Sequence, residues 1–118
     1  YFADEIRQLM RREAINVAAI ATDPDAPTGP YFVTHGPQGH VFTYRRKGSA
    51  ASLMRPEDLD ARMVTSARIL HASGISQAIS ESAAETVAAA IRIARQTGVT
   101  ISYDTNYRAR LWSAERAW

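Results

Sequence analysis

The chain has 118 residues, of which 46% are hydrophobic and 22% are charged, and its net charge is +2. Because cysteine is absent and the histidines His35, His40 and His71 lack the spacing of metal ligands, we expect no disulfide, no thiolate nucleophile and no metal-binding residue here. The basic residues are scattered, and no apolar run has the length of a membrane span or a signal peptide. We therefore expect no nucleic-acid partner, no membrane partner and a cytoplasmic location.

The first part of the chain shows a helical and then an extended pattern. Amphipathic spacing predicts a helix over residues 2–13, and the apolar run at 15–21 predicts a short strand. Residues 23–29 combine two prolines with aspartate and glycine, which predicts a break rich in turns. Since the chain begins within one segment of helical character and stops within another, at 1–6 and 113–118, we expect it to be an excerpt of a longer protein.

A β-hairpin is predicted between residues 30 and 46, where two runs of aromatic and β-branched residues flank a Gly-Pro-Gln-Gly segment. Pro37 cannot take the positive φ of a primed two-residue turn, so the turn chemistry favours a type I turn with the following glycine as a bulge. That bulged register pairs Tyr31 with Arg45. A two-residue loop instead pairs Tyr31 with Tyr44, and the residues leave both registers open.

The hairpin register determines which side chains share one surface. A slip of one residue moves every side chain of a strand to the other face of the sheet. Tyr31, Tyr44 and Arg46 therefore lie on one face only with the two-residue loop or with a compensating second bulge. From the residues alone, the two tyrosines can equally be a cross-strand pair that serves packing, and Arg46 can be a solvated side chain at a strand edge.

The second part of the chain predicts a compact βαβ unit. A proline early in residues 56–59 indicates the first turn of a short helix. Residues 68–73 form a candidate strand, and a capping-box spacing at 82–85 predicts a longer helix that ends near residue 98. Residues 99–104 form the second strand, which runs parallel to the first because the helix carries the chain back across the sheet.

Polar side chains follow the last strand, where the chain carries Asp104, Asn106 and Arg108. Ligands of open α/β sheets bind beyond the carboxyl ends of the strands, and these residues offer acceptor, amide and guanidinium groups for a phosphorylated or acidic ligand. A helix N-cap within a solvated charge cluster is the alternative interpretation, and it remains open at this point. We interpret His71, on the neighbouring strand, as a hydrogen-bonded strand residue rather than a base.

Four motifs occur in order along the chain, and together they resemble those of one enzyme family. The motifs are Thr28-Gly29-Pro30-Tyr31-Phe32-Val33, Tyr44-Arg45-Arg46-Lys47-Gly48-Ser49-Ala50-Ala51-Ser52, His71-Ala72-Ser73-Gly74-Ile75, and Asp104-Thr105-Asn106-Tyr107-Arg108 with Leu111-Trp112. Their combination resembles the 2-keto-3-deoxygluconate kinases, a subgroup of the ribokinase-like carbohydrate kinases of the PfkB family. The resemblance covers essentially the whole chain.

The resemblance implies an α/β fold, in which part of a ribokinase-like doubly wound parallel sheet carries a protruding β-hairpin that belongs to a β-sheet lid over the sugar. It implies that residues 1–27 and 48–118 are parts of the α/β core and that 28–47 form the lid hairpin, all within one domain. Family members also carry an N-terminal glycine-containing sugar segment and a Gly-Ala-Gly-Asp motif with the catalytic aspartate. Neither is present in this chain, so no catalytic residue is assigned to it, and we expect these residues alone to be inactive.

The activity implied by the resemblance is transfer of the γ-phosphoryl group of ATP to a sugar acid, 2-keto-3-deoxygluconate, with Mg²⁺ bridging the phosphates. The substrate contacts implied are Tyr31, Tyr44, Arg46 and Arg108, and the nucleotide contacts implied are Asn106, Tyr107 and Arg108. A homo-oligomer formed through the lid is also implied. The alternatives are another sugar kinase of the family, such as a fructokinase or a ribokinase, and a non-catalytic oligomerisation or binding module.

Overall fold

The computed structural model describes residues 2–117, which form two compact units that divide between Ala51 and Ser52. The first unit contains α1 (Phe2–Arg12), β1 (Tyr31–Gly36) and β2 (Gly39–Tyr44). The second contains α2 (Ala61–Ser66), β3 (Ile69–Ser73), α3 (Gly74–Ala78), α4 (Glu81–Gln96), β4 (Thr100–Asp104) and α5 (Ala114–Ala117). Short 3₁₀ helices span Ala50–Ser52 and Pro56–Asp58. Among the described residues, no helix has the length and apolar character needed to cross a membrane.

Helix α1 confirms the helix predicted over residues 2–13, and its charges follow the helix dipole. Asp4 and Glu5 lie in the first turn, and Arg11 and Arg12 lie in the last turn. Acidic groups near the N-terminus and basic groups near the C-terminus stabilise a helix, by about 0.3–1 kcal/mol each at exposed positions. The predicted helical segments at the chain ends are present as α1 and α5, although α5 begins at Ala114 rather than Ser113, and residues 1 and 118 lie outside the described range.

The strand predicted at residues 15–21 is wrong, because this segment is folded by local turns. The side-chain oxygen of Asn16 accepts the backbone N–H of Ala18 at 2.9 Å. The N–H of Ile20 donates to the carbonyl of Val17 at 3.1 Å. Such local bonds compete with the hydrogen bonds of a sheet, and an apolar run does not specify a partner strand.

The hairpin is present with the two-residue register, which pairs Tyr31 with Tyr44, so the bulged register favoured by the turn chemistry is wrong. Gly39 takes a φ of +109°, whereas Pro37 is not among the residues of positive φ. The positive φ therefore falls on Gly39 rather than on Pro37, and the two-residue register is kept. The N–H of Arg45 continues the same register beyond β2 by donating to Pro30 at 2.9 Å, and cross-strand aromatic pairs stabilise it.

The second unit is the predicted βαβ arrangement. Strands β3 and β4 are parallel, with Leu70 opposite Ile101. These two side chains pack against a buried cluster that consists of Val64, Ala94 and Val99. Small alanines on the buried face of α4 let the helix lie close to its neighbours.

Helix α4 ends as predicted, but it begins at a different cap. Gly98 has a φ of +73°, and the N–H of Val99 returns to the carbonyl of Ala94 at 2.9 Å. At the other end the cap is Ser80, whose hydroxyl accepts the N–H of Ala83 at 3.0 Å. The predicted capping box at 82–85 is therefore wrong. The two serines are both good caps, and the extended backbone at Ser80 decides between them.

The short helix predicted to start at residue 56 is a single 3₁₀ turn followed by a separate α-helix. The carboxylate of Asp58 accepts the N–H of Arg55 at 2.8 Å. The carboxylate of Asp60 accepts the N–H of Arg62 at 2.9 Å and so caps α2. Two aspartate caps close together divide the segment into two elements.

Thr86 joins α4 to the segment before α2. Its side chain is 1% exposed, and its hydroxyl lies 3.2 Å from the carbonyl oxygen of Met54 and 2.7 Å from that of Ser82. The first contact ties two elements together, and the second lies within the helix. A buried carbonyl that loses its donor costs about 1–3 kcal/mol.

We expect Thr86→Val to lower the free energy of unfolding by about 1–2 kcal/mol, since it keeps the shape but removes the hydroxyl shared by the carbonyls of Ser82 and Met54. Urea denaturation followed by circular dichroism measures the change. Thr65→Val is the matched control, because Thr65 is exposed and its hydroxyl contacts only a carbonyl of its own helix. Equal effects of the two substitutions would contradict a tertiary role for the Thr86 hydroxyl.

Candidate functional site

The hairpin presents an exposed aromatic surface, which consists of Tyr31, Phe42 and Tyr44, and the half-buried Arg46 lies beside it. The ring centroids of Tyr31 and Tyr44 lie 5.9 Å apart, those of Tyr31 and Phe42 lie 6.1 Å apart, and the planes of Phe42 and Tyr44 are inclined by only 16°. Every residue of β1 and β2 is exposed. Contiguous apolar side chains left in contact with solvent are typical of binding surfaces.

Arg46 lies against this aromatic surface. The guanidinium carbon of Arg46 is 4.5 Å from the ring centroid of Tyr44, which is a cation–π contact. Within residues 2–117, Arg46 forms no ion pair. A guanidinium that is oriented by an aromatic ring and not neutralised by a carboxylate can receive an anionic group of a ligand.

The backbone beside Arg46 is fixed by a tight packing of small residues. The N–H of Ser49 donates to the carbonyl of Arg46 at 3.0 Å, and the N–H of Ala50 donates to Pro27 at 3.0 Å. Ser49 is buried, and a Cβ added to Gly29 would lie only 3.0 Å from its hydroxyl oxygen. The glycine and the serine of the two hairpin-flanking motifs therefore hold the base of the hairpin together.

The second group of predicted residues follows β4. Ser73 and Asp104 are opposite one another in the parallel register, so both strands end at the same edge of the sheet, as predicted. The carboxylate of Asp104 accepts the N–H of Asn106 at 3.0 Å. Asn106 has a φ of +37°, a conformation that asparagine tolerates better than most residues. Because no helix starts here, the interpretation of Asp104 as a helix N-cap is wrong.

Arg108 is exposed at the end of this segment. One of its guanidinium nitrogens donates to the carbonyl of Tyr107 at 3.2 Å, and its own carbonyl accepts the N–H of Leu111 at 2.8 Å. No carboxylate within residues 2–117 forms an ion pair with Arg108. The backbone is therefore held in a turn while the guanidinium remains available to an anion such as a phosphate.

His71 is a hydrogen-bonded strand residue, as predicted. Its Nδ1 lies 3.0 Å from the hydroxyl oxygen of Ser102, the residue opposite it in the sheet. In the part of the chain that is described, no group of three or more histidine, cysteine, aspartate or glutamate side chains could hold a metal ion.

Comparison with models of protein families shows which family the chain belongs to. The model of the pfkB family carbohydrate kinases matches residues 1–117. The chain belongs to this family. Among curated proteins, it is 37% identical over 114 residues to a 2-dehydro-3-deoxygluconokinase of Thermoproteus tenax, covering 94% of this chain and 34% of that protein. It is 31% identical over 112 residues to a probable fructokinase-3 of Arabidopsis thaliana, covering 94% of this chain and 32% of that protein.

Solved structures of the pfkB family show the same architecture. A PfkB protein from Polaromonas sp. JS666 superimposes with a TM-score of 0.88 at 33% identity, over 97% of this chain and 39% of that chain. A fructokinase with bound ATP from Xylella fastidiosa superimposes with a TM-score of 0.85 at 25% identity, over 98% of this chain and 38% of that chain. The chain therefore spans about a third of the length of the family members that it matches, and its ribokinase-like α/β fold with a hairpin is confirmed.

The structure brings some of the predicted residues together. Tyr31, Tyr44 and Arg46 form one surface in the first unit. Asn106, Tyr107 and Arg108 are consecutive in the second unit. Their roles in binding remain predictions. The sequence analysis did not predict α3, which follows β3 directly; the signal was Ser73, a cap whose hydroxyl accepts the N–H of Ile75.

Proposed function

We propose that the full-length protein is a sugar kinase that transfers the γ-phosphoryl group of ATP to 2-keto-3-deoxygluconate. The observation that carries this proposal is the surface of Tyr31, Tyr44 and Arg46, where an arginine without an ion pair among residues 2–117 lies on an exposed aromatic cluster. Membership of the pfkB family and the similarity to a 2-dehydro-3-deoxygluconokinase support it. We further propose that residues 28–47 are part of a lid over the sugar and that 1–27 and 48–118 belong to the α/β core.

The chemistry of the hairpin surface suits a sugar acid. A planar guanidinium binds a carboxylate through two charge-assisted hydrogen bonds, so we assign Arg46 and Arg108 to the acid group. The hydroxyls of Tyr31 and Tyr44 can bind sugar hydroxyls, while their rings exclude water. Exclusion of water during transfer prevents hydrolysis of ATP, which is the advantage of placing such residues on a lid.

We assign the nucleotide side of the reaction to Asn106, Tyr107 and Arg108. An amide and a guanidinium suit phosphate oxygens, and the fructokinase structure with bound ATP is similar to this chain over the segment that contains them. Mg²⁺ is commonly held by substrate phosphates and water with one or two carboxylates, so we propose that it bridges the phosphates of ATP. Since ATP is the donor, we propose a cytoplasmic location.

Consumption of ATP by the full-length protein tests this proposal, with 2-keto-3-deoxygluconate, fructose and ribose as parallel acceptors. We expect selective turnover of the sugar acid. Turnover of fructose or ribose instead would retain the sugar kinase and reject the acid substrate, which is the alternative that the similarity to plant fructokinases favours. No turnover with any acceptor would reject the kinase and favour a binding or oligomerisation module.

We also propose that the hairpin joins two copies of the protein through its other face. Phe32 and Val41 lie on the face opposite Tyr31, and they are 54% and 60% exposed. Exposed apolar faces favour pairing with another copy.

The double variant Phe32→Ser/Val41→Ser is expected to convert an oligomer of the full-length protein to monomer, because it removes the apolar area that would be buried. Light scattering coupled to size-exclusion chromatography measures the mass. Thr34→Ser/Thr43→Ser, on the same face, is the control and is expected to leave the mass unchanged. An unchanged mass of the first variant, or a wild-type monomer, would contradict assembly through this face.

A further inference from the structure

A tight contact links α3 to the segment after β4. Gly74, the first residue of α3, is buried. A Cβ built at this position would lie 3.1 Å from the carbonyl carbon of Thr105 and closer still to its oxygen. Any side chain at this position therefore requires movement of the backbone at Thr105, so glycine is needed for the close approach rather than for an unusual φ.

A side-chain hydrogen bond closes the same contact from β4. The phenol of Tyr103 donates to the side-chain oxygen of Gln77, near the end of α3. The Tyr103 oxygen would also lie 3.2 Å from a Cβ at Gly74, so the two contacts are adjacent. Partial burial, followed by the negative charge of Asp104, raises the pKa of Tyr103 above its ordinary value of about 10. The phenol therefore remains a donor throughout the neutral range.

These contacts flank the residues that we assign to the nucleotide. Tyr103 is followed by Asp104, whose carboxylate accepts the N–H of Asn106. Thr105 lies between Asp104 and Asn106. A displacement of Thr105 moves this short turn as a whole, because the hydrogen bond spans only two residues. Small displacements of groups that contact a reacting phosphate have large effects on rate.

We propose that Gly74, Gln77 and Tyr103 are positioning residues that fix the backbone of residues 104–106 and thereby orient Asn106 and Arg108 toward the phosphates of the nucleotide. The inference about the nucleotide rests on the proposed function. The inference about the backbone does not, since it concerns only contacts within the second unit. The two parts are therefore tested by different measurements.

The backbone part is tested by hydrogen exchange of the full-length protein without ligand. We expect Tyr103→Phe and Gly74→Ala to increase the exchange rate of the Asn106 amide about tenfold, because the turn that protects it is loosened. Thr100 is the first residue of β4, and its N–H donates to the carbonyl of Arg68. We expect the exchange rate of this amide to be unchanged. Unchanged protection of Asn106 in Tyr103→Phe would overturn the proposal, whether or not the protein is a kinase.

The nucleotide part is tested by ATP titration calorimetry with a double-variant cycle. We expect Tyr103→Phe, Gln77→Leu and the double variant each to weaken ATP binding by about tenfold. The reason is that all three variants lack the same hydrogen bond, between Tyr103 and Gln77. If the losses of ATP affinity in the two single variants multiply in the double variant, Tyr103 and Gln77 do not act through one hydrogen bond, and the proposal is overturned. Loosened exchange at Asn106 with wild-type ATP affinity would also overturn it, whereas a wild-type protein that binds no ATP would reject the proposed function.

Ser102→Ala is the matched control for both measurements. Ser102 precedes Tyr103 on β4 and lies on the other face of the sheet. Its substitution removes the hydrogen bond to His71 on β3. We expect neither the exchange of Asn106 nor the affinity for ATP to change. An equal effect of this control would show that the Tyr103 variant acts through general loss of stability, and would overturn the positioning role.

Discussion

The Arg108→Ala variant of the full-length protein is expected to lose about 1,000-fold in kcat with the sugar acid and ATP as substrates. Phosphoryl transfer depends on positioning and on stabilisation of charge at the phosphoryl oxygens, and removal of an arginine that serves this purpose costs about 10³-fold or more. Arg108 is exposed and forms no ion pair within residues 2–117, so its loss leaves no buried group without a partner. Steady-state kinetics and thermal unfolding measure the two effects separately.

Arg110→Ala is the control for this prediction. Arg110 is also exposed, lies two residues further along the same segment and carries the same charge. We expect its kcat to change by less than about twofold, since we propose no contact of Arg110 with substrate or nucleotide. Arg108→Lys keeps the charge without the planar fork, and we expect an intermediate loss of about 10–100-fold. Equal losses in the two alanine variants would contradict a specific role for Arg108.

The βαβ unit could be predicted because its information is local and periodic. The apolar spacing of α4 and the two flanking strands specify a crossover between parallel strands, and this brings Ser73 and Asp104 to the same edge. Helix α3 spans only Gly74–Ala78, which is too short to show a helical period. The approach of Gly74 to Thr105 joins positions far apart in sequence, so no local pattern could have indicated it.

The wrong predictions in the first unit also arise because a local sequence pattern does not specify which distant segment it pairs with. Residues 15–21 have the composition of a strand, but a strand needs a partner, and the pattern of one segment does not provide it. In the hairpin, turn chemistry favoured the bulged register, whereas the common surface of Tyr31, Tyr44 and Arg46 implied by the family resemblance requires the two-residue register or a second bulge. The ring contact of Tyr31 with Tyr44 accompanies the register observed, and Gly39 accommodates the turn by its positive φ. Turn chemistry alone does not determine the register, because the sequence does not rank a turn preference against the energies of cross-strand pairing.

The Arg46→Ala variant is expected to raise KM for 2-keto-3-deoxygluconate about 100-fold while KM for ATP stays within about twofold. Loss of one partner from a desolvated, hydrogen-bonded charge pair costs at least about 2 kcal/mol, and closure of the proposed lid would desolvate this pair. The arginine contacts the ring of Tyr44 in the first unit and forms no ion pair among the described residues. Steady-state kinetics with each substrate varied in turn measure both constants.

Arg45→Ala provides the matched control, because Arg45 adjoins Arg46 and its position in the hairpin register places it on the other face. We expect KM for the sugar acid to be unchanged in this variant. Arg46→Lys keeps the charge but loses the bidentate geometry, so we expect a rise of about tenfold. If fructose is also a slow acceptor, its KM should hardly respond to Arg46→Ala, because a neutral sugar has no carboxylate. Equal rises for both acceptors would show that Arg46 acts by holding Tyr44 rather than by binding the acid group.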